Sequence, residues 1–515
     1  MKVALIGASG NMGEALFSLL LKEDDISEIR ILRYHKKQTD KLVKKNQQFL
    51  DKIKIFDGSI ADEKAVQNLL QNVDYCLNLG AIIPPISDHD PKAAIAANEI
   101  GPKVLCKVIE SMDEKQPKLI HISTVGLYGD RSYQHLFARV GDPLLISAFD
   151  IYALTKLRGE FTVLESKVQN WTVLRQTAML YDKLLMSNIS DGLMFHTCFN
   201  SPLEWVTSKD SAILIRNILR RDQKGELNTD NFWKHCFNIG GGLKGRATGS
   251  DTFDMGFKMI GASTKEFFDP NYNAARNFHG VFFIDSNELE ELFHFQNDGI
   301  AEFWDHVLET HKYFKMGRIV PKPILKTFVI KRLLSNSNSP RYWYKHNDES
   351  RMLAYFKGSK AYEAIPKKWS DVYLLSDGFD PKGNPLPYEE AKTKINPLKY
   401  YFDINKPRNL LNQEDLEKVA SAHGGKLLTK EFKTGDLYTP LEWETHDGVK
   451  FISNAHTVVY CGHWHNISYE KYAWDFDRQA KFDKYVAQIW YDAHDKNEDL
   501  YYWFDDEFNA HHKSI

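Results

Sequence analysis

Lys2-Val-Ala-Leu-Ile6, Gly7-Ala-Ser-Gly10-Asn-Met-Gly13 and Glu14-Ala-Leu-Phe-Ser-Leu-Leu20 form one unbroken run at the start of the chain. The first piece is a short apolar run, suited to a strand buried on both faces of a parallel sheet, and the last reads as a helix. Between them lie three glycines in the pattern G-x-x-G-x-x-G. Strand, glycine turn and helix in this order make a cradle for a dinucleotide. Gly7 permits the tight turn, Gly10 lets backbone approach a pyrophosphate, and Gly13 lets helix and strand pack closely. The helix N-terminus then offers free N–H groups and the positive end of its dipole. A glycine triplet alone is weak evidence, because loops use glycine for many reasons. Its position between strand and helix carries the reading. Ser9, Asn11 and Met12 belong to the same loop and are expected at the cofactor.

The pattern continues downstream. Glu28–Leu32 reads as a second strand ending at Arg33, where an acidic residue would suit a ribose 2′-hydroxyl and a basic one a 2′-phosphate. Arg33, with Lys36 close behind, therefore favours NADP, with NAD as the alternative. Lys52–Phe56 is a third strand, followed by Asp57 and Gly58, with Asp57 placed to accept from an adenine amino group. Asp62 is a helix cap for Glu63–Gln71. Val73–Asn78 is a fourth strand, and Gly80-Ala81 lets backbone close on the cofactor. A helix carries Asn98, and Leu119–Ile122 delivers Ser123 and Thr124 at the end of a fifth strand. Strands alternating with helices, with polar residues at strand ends, describe an α/β doubly wound parallel sheet. Tyr152 and Lys156 follow, four apart and hence on one helix face.

Composition sets bounds. The 515 residues suffice for two to four domains, and a net charge of −3 gives no global sign of a nucleic-acid binder. Lys36, Lys37, Lys41, Lys44 and Lys45 read as a solvated helix face. Five scattered cysteines without C-x-x-C spacing fit free, buried thiols in a reducing compartment. A first strand beginning at residue 2 leaves no room for a leader, and no apolar run approaches a membrane span. The expectation is a cytoplasmic protein with a small-molecule substrate, no nucleic acid, no integral membrane segment and a homodimer as one arrangement.

Together these residues resemble the extended short-chain dehydrogenase/reductase family, the epimerase/dehydratase-like branch. Its marks here are Gly7/Gly10/Gly13, Asp57, Gly80-Ala81, Asn98, Ser123-Thr124, Tyr152-x-x-x-Lys156 and Val173-Leu-Arg-Gln-Thr177. Leu203–Ala212 and Phe237–Gly241 resemble later steps of the same fold, so the likeness runs over roughly 1–315. It implies a Rossmann domain at 1–178 and a substrate part at 179–315, with returns to the core near 203–242. It also implies Tyr152 as general acid/base, Lys156 lowering the tyrosine pKa beside the nicotinamide ribose, and Thr124 on the substrate oxygen, with Ser123 as fallback. Gln176 joins the cofactor set. Val125-Gly126 stand where a 4,6-dehydratase places an acid and base. The cations Arg216, Arg220, Arg221 and Arg276 form no convincing diphosphate cluster, and 180–205 is apolar. The favoured reading is hydride transfer between cofactor and a hydrophobic, steroid-like or aromatic alcohol or ketone. The alternative is a nucleotide-sugar epimerase with tightly bound NAD. Ile83, His196, Trp205 and His279 are the substrate candidates. A non-catalytic nucleotide sensor is a third class, opposed by the Tyr/Lys pair.

Past residue 316 the resemblance ends. Pro321–Leu334 reads as a basic amphipathic helix, docking on its own protein rather than on a membrane. Residues 316–413 form a helical, loop-rich extension, with a helix expected at Glu349–Ser359. Residues 414–515 divide into 414–470, which resembles a treble-clef zinc-ribbon module whose ligand places hold Leu427, Thr445, Val449, His465 and Ser468, leaving no metal set, and an aromatic tail. An aromatic core is expected to hold it instead, with the aromatic tail covering the pocket or forming an interface.

Overall fold

The computed structural model describes residues 1–112, 115–182, 184, 192–312, 318–464 and 473–504. Seven strands make a parallel sheet: β1 (Lys2–Ile6), β2 (Glu28–Arg33), β3 (Ile53–Asp57), β4 (Tyr75–Asn78), β5 (Lys118–Thr124), β6 (Trp171–Gln176) and β7 (His235–Ile239). Their order is β7-β6-β5-β4-β1-β2-β3. The order reverses between β1 and β4, and the crevice at such a switch point is where open α/β sheets bind ligands. Leu16, Phe17 and Leu20 of α1 (Asn11–Leu20) meet Ile215, Ile218 and Leu219 of the helix Ser208–Gln223 on one face. Val66 and Leu69, Leu105 and Ile109, and Val163 and Leu164 pack on the other.

Helix α1 begins at Asn11, three residues before its apolar run suggests. Gly10 sits extended as the N-cap, and Gly13 lies so close to the turn that an added Cβ would stand 2.1 Å from the Gly7 carbonyl oxygen. The missing side chain lets the helix start inside the loop. Gly7 has φ +84°, and a Cβ there would meet the Gly80 nitrogen at 2.6 Å, so the turn is pressed against the end of β4. Asp62 caps Glu63–Leu70 by accepting from Lys64 and Ala65. All five cysteines are free and buried, and the five lysines of 36–45 are exposed.

The carboxyl-terminal third does not stand apart. Its Trp343, Met352, Tyr355, Trp474 and Trp490 share one core with Leu127, Tyr128, Leu154 and Leu157. The helix expected at 349–359 spans Glu349–Phe356. Pieces Lys322–Leu325, Lys326–Ile330 and Lys331–Leu333 follow one another as a continuous helical strap. Ile330, Leu333 and Leu334 of the strap are buried against Phe195 and Phe268. Its other face is not covered, contrary to simple docking: Ile324 and Phe328 are exposed. Further on, Lys426–Leu427, Pro440–Glu444 and Lys450–Asn454 form an antiparallel sheet around Trp443, Phe451 and Trp464. At the places expected to hold metal ligands, Leu427 packs against this aromatic cluster and Thr445 hydrogen-bonds Asp447 and the Val449 backbone. His465 and Ser468 lie outside the described residues.

Candidate active site

Strand β5 ends at Thr124, whose Oγ1 accepts from the Gly126 N–H at 3.1 Å. The next element of the candidate site is the helix Ile151–Leu164, capped by Asp150, which accepts from Ala153. Tyr152, Lys156 and Glu160 follow at successive turns and share a face. Thr124 and Tyr152 line the same cavity. Ser123 does not line it; its hydroxyl is buried without a partner. The register therefore selects Thr124 over the fallback. Strand residues alternate in direction, so only one of two neighbours can face the cleft.

Lys156 is buried and donates from Nζ to the Ile122 carbonyl at 2.5 Å. Burial pulls its pKa down to about 8, opposed by the Glu160 carboxylate. The tyrosine departs from expectation. Burial pushes Tyr152 up to about 12, with Asp150 adding to the rise and the neighbouring Thr124 hydroxyl opposing it. The expected lowering by Lys156 is absent, because desolvation of the phenolate outweighs the other influences on it.

At the other end of the crevice, the first turn of α1 has no side-chain cap, so its N–H groups are offered to a phosphate. This fits a dinucleotide, as do Gly7, Gly13 and the nearby Gly80. Asn98 presents no free donor: its amide nitrogen donates to the Ile82 carbonyl and to Thr155, and its oxygen accepts from Ile82 N–H. It pins the loop after β4 rather than reaching for a ligand. Arg33 is also engaged. Its Nε and Nη2 hold both oxygens of Asp57 at 2.6 and 2.7 Å, and Nη1 holds Asp40 at 2.8 Å. Asp57, expected to accept from adenine, is instead the partner of Arg33, which keeps its carboxyl below the usual range. Two carboxylates around one guanidinium cancel the local positive charge on which the expectation of NADP rested. Lys36 opens the next helix, exposed, while Ser9, Gly58 and Ala81 remain at the loops where the sequence placed them and Met12 is taken into the first turn of α1, buried.

The cavity beside Tyr152 has a volume of about 370 Å3. Ile83, His196, Trp205 and His279, the four substrate candidates, all line it, as does Gln176. Gln176 Oε1 is buried without a partner. His196 is held neutral, its pKa pulled by burial to about 4. Trp205 Nε1 donates to Thr252 at 3.1 Å, and His279 Nδ1 lies 3.5 Å from Asp150. Sequence reasoning missed Asn338, Arg351 and Tyr355, which reach the same cavity from the extension. No local pattern marks them, since their role exists only once the extension folds over the sheet. The four arginines weighed for a diphosphate do not line the cavity. Arg276, for instance, holds both oxygens of Glu498 at 2.9 and 2.6 Å and caps backbone carbonyls of Leu353, Ala354 and Ala493.

Beneath this helix the sheet half and the carboxyl-terminal third meet. Glu160 accepts from Arg175 Nη2 at 2.7 Å and hydrogen-bonds His463 Nε2 at 2.9 Å, all fully buried. Arg175 also donates to the Cys461 carbonyl at 2.7 Å. The Cys461–His463 segment thus serves as a buried clamp on the helix that carries Tyr152 and Lys156.

Residues 3–177 match the NAD dependent epimerase/dehydratase family model. The match covers the amino-terminal third of the chain. Over 125 residues the protein is 31% identical to UDP-glucose 4-epimerases of Rickettsia felis and Rickettsia massiliae. The match takes in 23% of this chain and 35% of each relative, so the chain spans about a third of the length of the curated relatives it matches. Among solved structures, UDP-glucuronic acid 4-epimerase from Bacillus cereus is 20% identical, with a TM-score of 0.47 over 60% of this chain and all (100%) of that one. A dTDP-glucose 4,6-dehydratase from Bacillus anthracis is 15% identical, with a TM-score of 0.46 over 63% of this chain and 99% of that one.

Proposed function

We propose that the protein is an NAD-dependent enzyme that oxidises a secondary alcohol carbon and returns the hydride to it, in the manner of a nucleotide-sugar epimerase. The observation that carries the chemistry is the Thr124–Tyr152 pair facing a cavity, with Lys156 one turn on and an uncapped glycine turn at the other end of the crevice. NAD bound there would accept and return hydride. Tyr152 would take the hydroxyl proton as the carbon is oxidised and give it back on reduction. Thr124 would hold the same oxygen, and Lys156 would bind ribose hydroxyls. The neutralised Arg33 supports NAD over NADP, since Asp57 and Asp40 would repel a 2′-phosphate.

Similarity to UDP-glucose 4-epimerases supports the sugar-nucleotide reading. A second reading, net oxidoreduction of an apolar alcohol or ketone, is favoured by one observation. The cavity is walled by Phe149, Trp205, Phe253, Phe278 and Tyr355, and its single arginine, Arg351, is 2.6 Å from Asp348. One experiment separates them. The purified protein is denatured and its released nucleotides identified, then turnover is assayed with UDP-hexoses and with steroid or aromatic ketones. Epimerisation without net NADH change supports the first reading. Stoichiometric NADH or NADPH consumption with an apolar ketone replaces it by the second. Absence of nucleotide binding sinks both.

A further inference from the structure

Residues 310–347 contain nine Lys and Arg and no Asp or Glu, in a chain whose net charge is −3. Within this stretch the segment from Arg318 through the strap shows two faces. Ile330, Leu333 and Leu334 are packed into the protein beside Phe195 and Phe268. On the other side Ile319 is 82% exposed and Phe328 72%, with Val320 and Ile324 also exposed. Ile324 and Phe328 are one turn apart, and the exposed Lys331 and Arg332 continue the same face into the next turn. Water-facing phenylalanine and isoleucine at helical spacing are costly to leave uncovered, and grouped with cations they mark a contact surface. Lys322 and Lys326 pair with Glu266 and Asp269 at 2.6 and 3.1 Å, at the edge turned towards the neighbouring segment. For Lys331 and Arg332 no ion pair is found among the described residues, so the free charge lies beside the apolar side chains.

We propose that residues 318–332 dock this protein on an anionic lipid surface, with Ile319, Ile324 and Phe328 entering the headgroup boundary and Lys331 and Arg332 meeting lipid phosphates and carboxylates. Charge decides the occupant. A twofold contact between two copies would set the same cations against each other, whereas an anionic bilayer neutralises them and solvates the apolar tips. The arrangement is that of an interfacial helix, not a span, in keeping with the finding that no helix among the described residues is long and apolar enough to cross a membrane. This surface lies outside the catalytic cavity and does not depend on which substrate that cavity takes.

The test is flotation of the full chain with vesicles of phosphatidylcholine alone or with about 30% phosphatidylserine, an anionic lipid of the kind basic segments recognise. The protein should float with the anionic vesicles only. Binding should weaken strongly between about 0.1 and about 1 M salt, as the screening length falls from about 10 to about 3 Å. Lys331→Glu with Arg332→Glu should lower partitioning by about 25-fold or more, at about fivefold per cation. Phe328→Ser with Ile324→Ser should lower it by about tenfold or more. Unchanged melting and NADH binding in both variants would show that the fold and the cofactor site are intact. Failure of the wild-type chain to float, or undiminished flotation of both variants, overturns the proposal. So does a wild-type dimer that Phe328→Ser converts to monomer, which would give the surface to a second copy.

Discussion

The sheet half and the carboxyl-terminal third are both rich in buried aromatic and apolar side chains, but they are held together differently. In the sheet half, partners are close in sequence: strand, turn and helix follow one another, and Tyr152, Lys156 and Glu160 need only a helix to come into line. The extension depends on distant partners, as in His463 with Glu160, Tyr502 stacked on Phe149, and Arg276 clasping Glu498. The proposed chemistry sits in the first region. The second completes the cavity with Arg351 and Tyr355 and clamps the helix of Tyr152 and Lys156 from below. It behaves as cladding with a shared core rather than as a detachable module.

Mutations can sharpen this contrast, beginning with the largest effect. Tyr152→Phe, within the sheet half, should lower turnover by about 10²- to 10⁴-fold, the range of a positioned acid/base. Its melting curve should not change, because the ring and its packing remain. Glu160→Ala sits at the junction and should act on both regions together. It leaves Arg175 buried without its carboxylate, at a cost of about 3–5 kcal/mol. Denaturant unfolding followed by sheet and extension tryptophans should shift as one transition; a transition that splits in two would break the picture of a shared core. Tyr502→Leu removes a stacked pair from the extension side alone and should cost about 0.5–1.5 kcal/mol beyond lost area, measured by the same unfolding curves.

The two smallest effects concern ligand affinity. Burial places the Lys156 pKa at about 8, below an ordinary lysine, so its charge is present below that pH and lost above it. NADH affinity should therefore fall as pH rises through about 8, by titration calorimetry or fluorescence. Finally, Asp40→Asn with Asp57→Asn frees Arg33 and should raise NADP affinity severalfold without altering stability. An unchanged NADP/NAD ratio would remove the electrostatic argument for NAD.

Sequence alone made the sheet legible because each of its units is local. A run such as Lys2–Leu20 contains strand, turn and helix, and the family's motif residues mark the strand ends. The four substrate candidates, spread from Ile83 to His279, were also within reach, since apolar and histidine residues after strand ends converge on one crevice. Charges were harder. Arg33 reads as a phosphate ligand until Asp57 and Asp40 are seen beside it, and the acidity of Tyr152 depends on burial that no motif encodes. The tertiary partners of the extension left no periodic signal, so nothing in the sequence marked His463 as the partner of Glu160 or Tyr355 as part of the cavity wall.

The five sequestered thiols supply a clock for the same contrast. Cys76, Cys106, Cys236 and Cys461 sit in one core on the sheet, and only Cys461 is contributed by the extension. Burial keeps Cys76, Cys106 and Cys236 protonated and thus unreactive in the native chain. A thiol reagent added to the folded protein consequently reports opening events, and the order in which the sulfurs become alkylated tells whether the cladding peels away before the sheet beneath it comes apart.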